Sequence, residues 1–152
     1  MRVILAILAA SSQLSCAAQP DRGGSKLIRE VRPGVEWEQK AVIGDCNCDG
    51  KDDKAFLGGA AGMVCVGVVL TGSPAPQVLE YAVNPGAQDG VCSDAVTLAL
   101  ESQDYDPADA GMELQGFSRS TTCAGLVLAD QDCDAVHMYW NRVAARMDWW
   151  RR

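Results

Sequence analysis

The chain holds a single histidine, and no G-x-S-x-G, Walker loop or H-E-x-x-H spacing occurs in it. Nothing therefore indicates a hydrolytic nucleophile, a phosphate cradle or a zincin centre, and the reading is that the protein is not an enzyme. His137 lies beside Tyr139 with no nucleophile motif near it, so a structural or surface place is expected for it. Glu36 and Glu38 could in principle serve glycoside chemistry. They stand two apart in a strand-like stretch, where exposed positions commonly carry such charges. A basic face is also missing, since 20 Asp and Glu stand against 13 Lys and Arg for a formal charge of −7. Nucleic acid and anionic membrane both require such a face, and neither is an expected partner. No apolar run approaches the about 20 residues that span a bilayer, and no helix of ordinary length shows a 3.6-residue apolar period.

What the sequence does contain begins with Met1-Arg2, a short apolar run from Val3 to Ala10, and small residues from Ser11 to Ala18. This reads as an export signal over residues 1–18. Ser15-Cys16-Ala17 or Cys16-Ala17-Ala18 suits ordinary signal cleavage. Leu14-Ser15-Cys16 resembles the lipobox of bacterial lipoproteins, which would put a lipid anchor on Cys16, the one expected route to a membrane. Residues 19–34 are rich in Pro, Gly, Ser and alternating charge, and read as a flexible linker. In a chain of 152 residues that leaves residues 35–152 for one domain.

The expected strands are short and bounded by turns. They comprise Val35–Ile43, Ala55–Leu57, the β-branched run Met63–Leu70, Val78–Val83, Leu126–Leu128, and a terminal hairpin of Ala135–Trp140 with Arg146–Trp150. Ala95–Leu100 suits either strand or helix and is taken as strand beside its neighbours. The fold class is all-β, a small antiparallel sandwich or partly open barrel. In the terminal hairpin Val136, Met138 and Trp140 share one face. One of Trp149 and Trp150 then points inward, and the outward one is a candidate partner contact.

With Cys16 set aside, the seven cysteines leave Cys46, Cys48, Cys65, Cys92, Cys123 and Cys133 as an even set. In an exported chain such a set is a disulfide framework, with 15 connectivities open. A direct Cys46–Cys48 bridge would strain the segment between them. A Cys46–Cys65 bridge, tying that segment to the following strand, is the expected pairing.

The most informative stretch is Gly44-Asp45-Cys46-Asn47-Cys48-Asp49-Gly50-Lys51-Asp52-Asp53. Counted from Asp45, side-chain oxygens fall at positions 1, 3, 5 and 9 (Asp45, Asn47, Asp49, Asp53), with Gly50 at position 6 and the Lys51 carbonyl at position 7. A hard cation wants such donors, and Ca2+ is the expected ligand. Position 12 of an EF-hand would be a bidentate Glu, and Phe56 stands there. The acids from Glu101 to Glu113 match no such template and read as a solvated loop.

From Gly44 to about Gly58 the pattern resembles the calcium loop of the FG-GAP repeat of integrin-type propellers, which also runs strand, metal loop, strand. The resemblance implies calcium ligation by the same five residues. A propeller needs several blades and one copy is present, so the loop is expected without the propeller. The expected function is an exported calcium-binding β domain serving as a binding or structural module of the bacterial cell envelope, in the periplasm, on the outer membrane as a lipoprotein, or secreted. Its partner would be an envelope protein or polysaccharide. A secreted or periplasmic enzyme inhibitor is the alternative, and a small hydrolase comes third.

Overall fold

The computed structural model describes residues 22–130 and 132–151. The expected export signal, with Cys16 and its two cleavage readings, lies outside the described residues.

Among the described residues, two antiparallel sheets make the fold. The first holds β1 (Glu36–Trp37), β2 (Val42–Gly44), β3 (Asp53–Ala60), β4 (Met63–Val69) and β5 (Gln77–Ala82), in the order β1-β3-β4-β5 with β2 also on β3. The second holds β6 (Thr97–Ser102), β7 (Ala124–Ala129), β8 (Val136–Asn141) and β9 (Arg146–Trp150), paired in sequence order. This is a sandwich, and its described strands close no barrel. The single expected first strand is split in two. Trp37 pairs with Gly58 and Val42 with Ala55, so residues 38–41 stand opposite only Phe56 and Leu57 and bulge out of the ladder.

Period-two alternation sets the layers. In β4, Val64, Val66 and Val68 face the second sheet and meet Leu126, Leu128, Val136 and Met138 in one core. Each such side chain contributes about 1.5–3 kcal/mol when fully buried. The intervening Cys65 faces the opposite way, into a smaller cluster with Ile28, Trp37 and Phe56. Cys46 belongs to the first cluster and Cys65 to the second, so the sheet separates them. Both are free thiols, which corrects the expected Cys46–Cys65 bridge. The disulfides are Cys48–Cys123 and Cys92–Cys133.

A second correction concerns the expected linker. Residues Arg22–Val31 form a helix, α1, with Gly24 and Ile28 one turn apart on its buried side. Ile28 is fully buried over Gly67, whose missing side chain makes the seat, because a Cβ there would overlap Ile28 Cδ1. Arg29 Nη2 donates to Trp37 O at 3.0 Å, and Arg32 pairs with Glu80 at 2.9 Å. With only two residues marking the apolar side, the helical period is too sparse to read from sequence.

The segment between β6 and β7 is also more ordered than a solvated loop. Asp104, Asp106, Asp109 and Glu113 are exposed as expected, while Tyr105 and Phe117 turn onto the outer face of the second sheet. Their rings lie 5.1 Å apart, with Phe117 5.6 Å from Tyr139 and Tyr105 6.2 Å from Trp150. Tyr139 Oη donates to Gln115 O at 3.1 Å, and Trp150 Nε1 donates to Tyr105 Oη at 3.2 Å.

Candidate metal centre

Loop 45–52 joins β2 to β3, and its mouth is closed by the Gly44–Asp53 pair. Three independent ties hold it over the seam between the sheets. Cys46 is buried in the core; Cys48 is bonded to Cys123, just before β7; and Asp45 O accepts from Ala124 N at 2.9 Å. Cys46 has its thiol pushed up to about 12 by burial, with Asp53, Asp45 and Asp52 adding to the effect, so it stays protonated.

Within the loop the polar side chains turn back on the backbone. Asp45 Oδ1 accepts from Asp49 N at 3.0 Å and Oδ2 from Gly50 N at 2.9 Å. Asn47 Oδ1 accepts from the same Asp49 N at 3.1 Å, and Asp49 Oδ1 accepts from Lys51 N at 2.9 Å. Gly50 takes φ 82° and Cys48 φ 61°, the left-handed values that let the chain wind so tightly. Asp45 and Asn47 thus bring an oxygen each to one amide, and Asp49 follows on the next turn. The Lys51 ammonium lies 3.8 Å from Asp49 Oδ2.

Asp53 is different in kind. It is fully buried, and its carboxylate closes the loop from beneath. Oδ2 accepts from Cys46 N and Asn47 N at 3.1 and 3.2 Å, and Oδ1 accepts from Thr71 N at 2.7 Å. Burial pushes its pKa above the ordinary carboxylate value, against these three N–H bonds, and the charge of Asp49 adds to the rise. Among the described residues, the carboxylates of Asp45, Asp49 and Asp53 do not gather within 4.8 Å of one another; one group of three does, at Cys92, Asp130 and Cys133. The structure therefore brings Asp45, Asn47 and Asp49 to the loop's turns and sets Asp53 below them. Three carboxylates, one amide and a backbone carbonyl are all hard oxygens, the kind a hard cation takes.

No family model, curated protein or solved structure matches this chain. The side chains themselves carry the chemistry.

His137 has a partner that sequence reasoning missed. Its Nδ1 lies 2.8 Å from Glu101 Oε2, and its ring stacks on Trp150 with centroids 4.4 Å apart. Glu101 reaches across β7 at Gly125, where a Cβ would crowd the Glu101 side chain. The pairing spans three strands, and no local signal in the sequence announces it. Both terminal tryptophans pack within the fold, Trp149 only partly buried. Trp149 packs edge-on to Tyr81 at 5.8 Å against the core, and Trp150 is buried on the opposite face. Val136 and Met138 lie in the core with Trp140 packed against them, on one face as expected. The outward tryptophan expected to meet a partner is Trp150, and Tyr105 of the covering loop occupies that place instead.

Proposed function

We propose that this chain is an exported calcium-binding β domain serving as a binding or structural module of the bacterial cell envelope. Its ion would be held by Asp45, Asn47, Asp49, the Lys51 carbonyl and Asp53, as the resemblance to the FG-GAP calcium loop implies. The observation that carries this reading is the attachment of the loop. A run of oxygen donors in calcium-loop register is tied to both sheets at once, through β2 and β3 on one side and through Cys48–Cys123 and Asp45 O on the other. Calcium there would act as a staple across the seam, drawing together acids that otherwise repel one another. Its contribution is modest. With extracellular affinities of about 10⁻⁴ to 10⁻³ M, calcium at ten times Kd adds about 1.4 kcal/mol.

The test is thermal unfolding with calcium and with chelator. The proposal expects a higher Tm with calcium in the wild type and no difference in Asp49→Ala. Coincident wild-type curves would refute it.

The Glu101–His137 pair favours the hydrolase reading, because a carboxylate on Nδ1 orients an imidazole for proton transfer. Among the described residues no hydroxyl or thiol is hydrogen-bonded to that ring. The calcium module is the better supported of the two.

A further inference from the structure

Away from the calcium loop, Cys92, Cys133 and Asp130 meet where the chain leading into β6 passes the turn between β7 and β8. One ligand atom of each lies within 4.8 Å of the others. The sulfurs are joined as a disulfide closing 41 residues, with Cα atoms 5.8 Å apart. Both cysteines are half-buried, whereas the other disulfide has Cys123 buried. Beside Cys133 opens a cavity of about 440 Å³, bordered by Asp132, Asp134 and Arg151. The Cys133 side of the disulfide thus borders open space.

Asp130 is held by backbone amides on both sides of the disulfide. Oδ1 accepts from Asp132 N at 3.0 Å and Cys133 N at 2.6 Å, and Oδ2 accepts from Cys92 N at 2.8 Å. Ser93 N also hydrogen-bonds this carboxylate, so a ligand on Oδ2 would displace one of its backbone N–H bonds. Burial raises the pKa of this carboxyl, but the backbone N–H bonds outweigh it and hold the group below the ordinary carboxylate range.

The geometry points to a redox-gated zinc site, in which reduction of the Cys92–Cys133 disulfide turns both sulfurs and Asp130 Oδ2 into three ligands of one Zn2+, with water as the fourth. A dithiol is the co-reactant. Its two thiols reduce the protein disulfide and become a disulfide themselves, and the two new protein thiols release two protons as zinc binds. Tetrahedral zinc, with Zn–S of about 2.3 Å, places two thiolate sulfurs about 3.8 Å apart. The Cα separation of 5.8 Å accommodates that by side-chain rotation. Two thiolates select zinc over calcium, so this site and loop 45–53 take different ions and stand or fall separately.

The test reduces the purified full chain with a phosphine, adds zinc chloride to one half, alkylates both halves with iodoacetamide and maps the peptides. Zinc is expected to slow alkylation of Cys92 and Cys133 about tenfold or more, because a metal-bound thiolate is withdrawn as a nucleophile. Cys48 and Cys123 should alkylate at the same rate in both halves. In Asp130→Asn, with its fold checked by circular dichroism, protection should need about tenfold more zinc. Equal alkylation of Cys92 and Cys133 with and without zinc overturns the site, and this wild-type comparison decides even where the variant fails to fold. Protection unchanged in a folded Asp130→Asn overturns the three-ligand assignment.

Discussion

Replacing Cys48 and Cys123 together by serine removes the link between loop 45–53 and the head of β7. The two disulfides close 75 and 41 residues, for which chain entropy gives about 4.5 and 3.9 kcal/mol of stabilisation respectively. By urea unfolding, Cys48→Ser/Cys123→Ser and Cys92→Ser/Cys133→Ser should therefore lose nearly the same stability. Their calcium behaviour should part company. Residue 48 sits at φ 61°, a left-handed conformation that costs a non-glycine residue roughly 1–2 kcal/mol. With the tether gone, that residue relaxes, and calcium must pay the cost again to close the loop. A penalty near 1.4 kcal/mol is about tenfold in affinity. Calorimetric titration should show calcium binding about tenfold weaker in Cys48→Ser/Cys123→Ser and unchanged in Cys92→Ser/Cys133→Ser. Equal affinities in both variants and the wild type, or equal losses in the two variants, would refute the claim that the first disulfide shapes the loop.

Opposite pH dependences are expected at the two buried or hydrogen-bonded acids. Asp53 has its carboxyl pushed up chiefly by burial, so its share of stability is fully present below the unfolded pKa and lost as pH rises through the raised one. In calcium-free buffer the stability of the wild type relative to Asp53→Asn should increase on acidification. Asp130 is held below the ordinary range, so the wild-type advantage over Asp130→Asn should exist near neutrality and vanish in acid; urea unfolding across pH checks both signs. Gly67→Ala sets a methyl against Ile28 Cδ1 and should cost about 1–3 kcal/mol, with loss of hydrogen-exchange protection over residues 22–31. Peptide mapping should find Cys46 and Cys65 as free thiols that alkylate only on unfolding, since burial raises both thiol pKa values; a Cys46–Cys65 cross-link would contradict the layer assignment.

Much of the architecture was legible in local pattern. The Val-rich run of β4 announced a strand, which the structure buries on both faces, and the alternation of Val136, Met138 and Trp140 put them on one face of β8, which the structure turns to the core. The turn residues Asp45, Asn47, Asp49 and Gly50 marked a tightly wound loop, which the structure holds with four Asx-type hydrogen bonds. What escaped notice depends on contacts between distant segments. Helix α1 exists because Ile28 fits over Gly67, and neither residue alone signals a helix. The disulfide partners are chosen by which face of a strand each cysteine occupies, and a shift of one residue reverses that face. Glu101 meets His137 because Gly125 leaves room between them, a fact about three strands and not about any one of them.

What this domain does turns on whether loop 45–53 binds calcium. Isothermal titration of calcium chloride into the chelator-treated full chain should register one site per chain in the wild type and none in Asp45→Ala or Asp49→Ala. A wild-type titration with no heat at millimolar calcium, matched by a Tm indifferent to the ion, would contradict it.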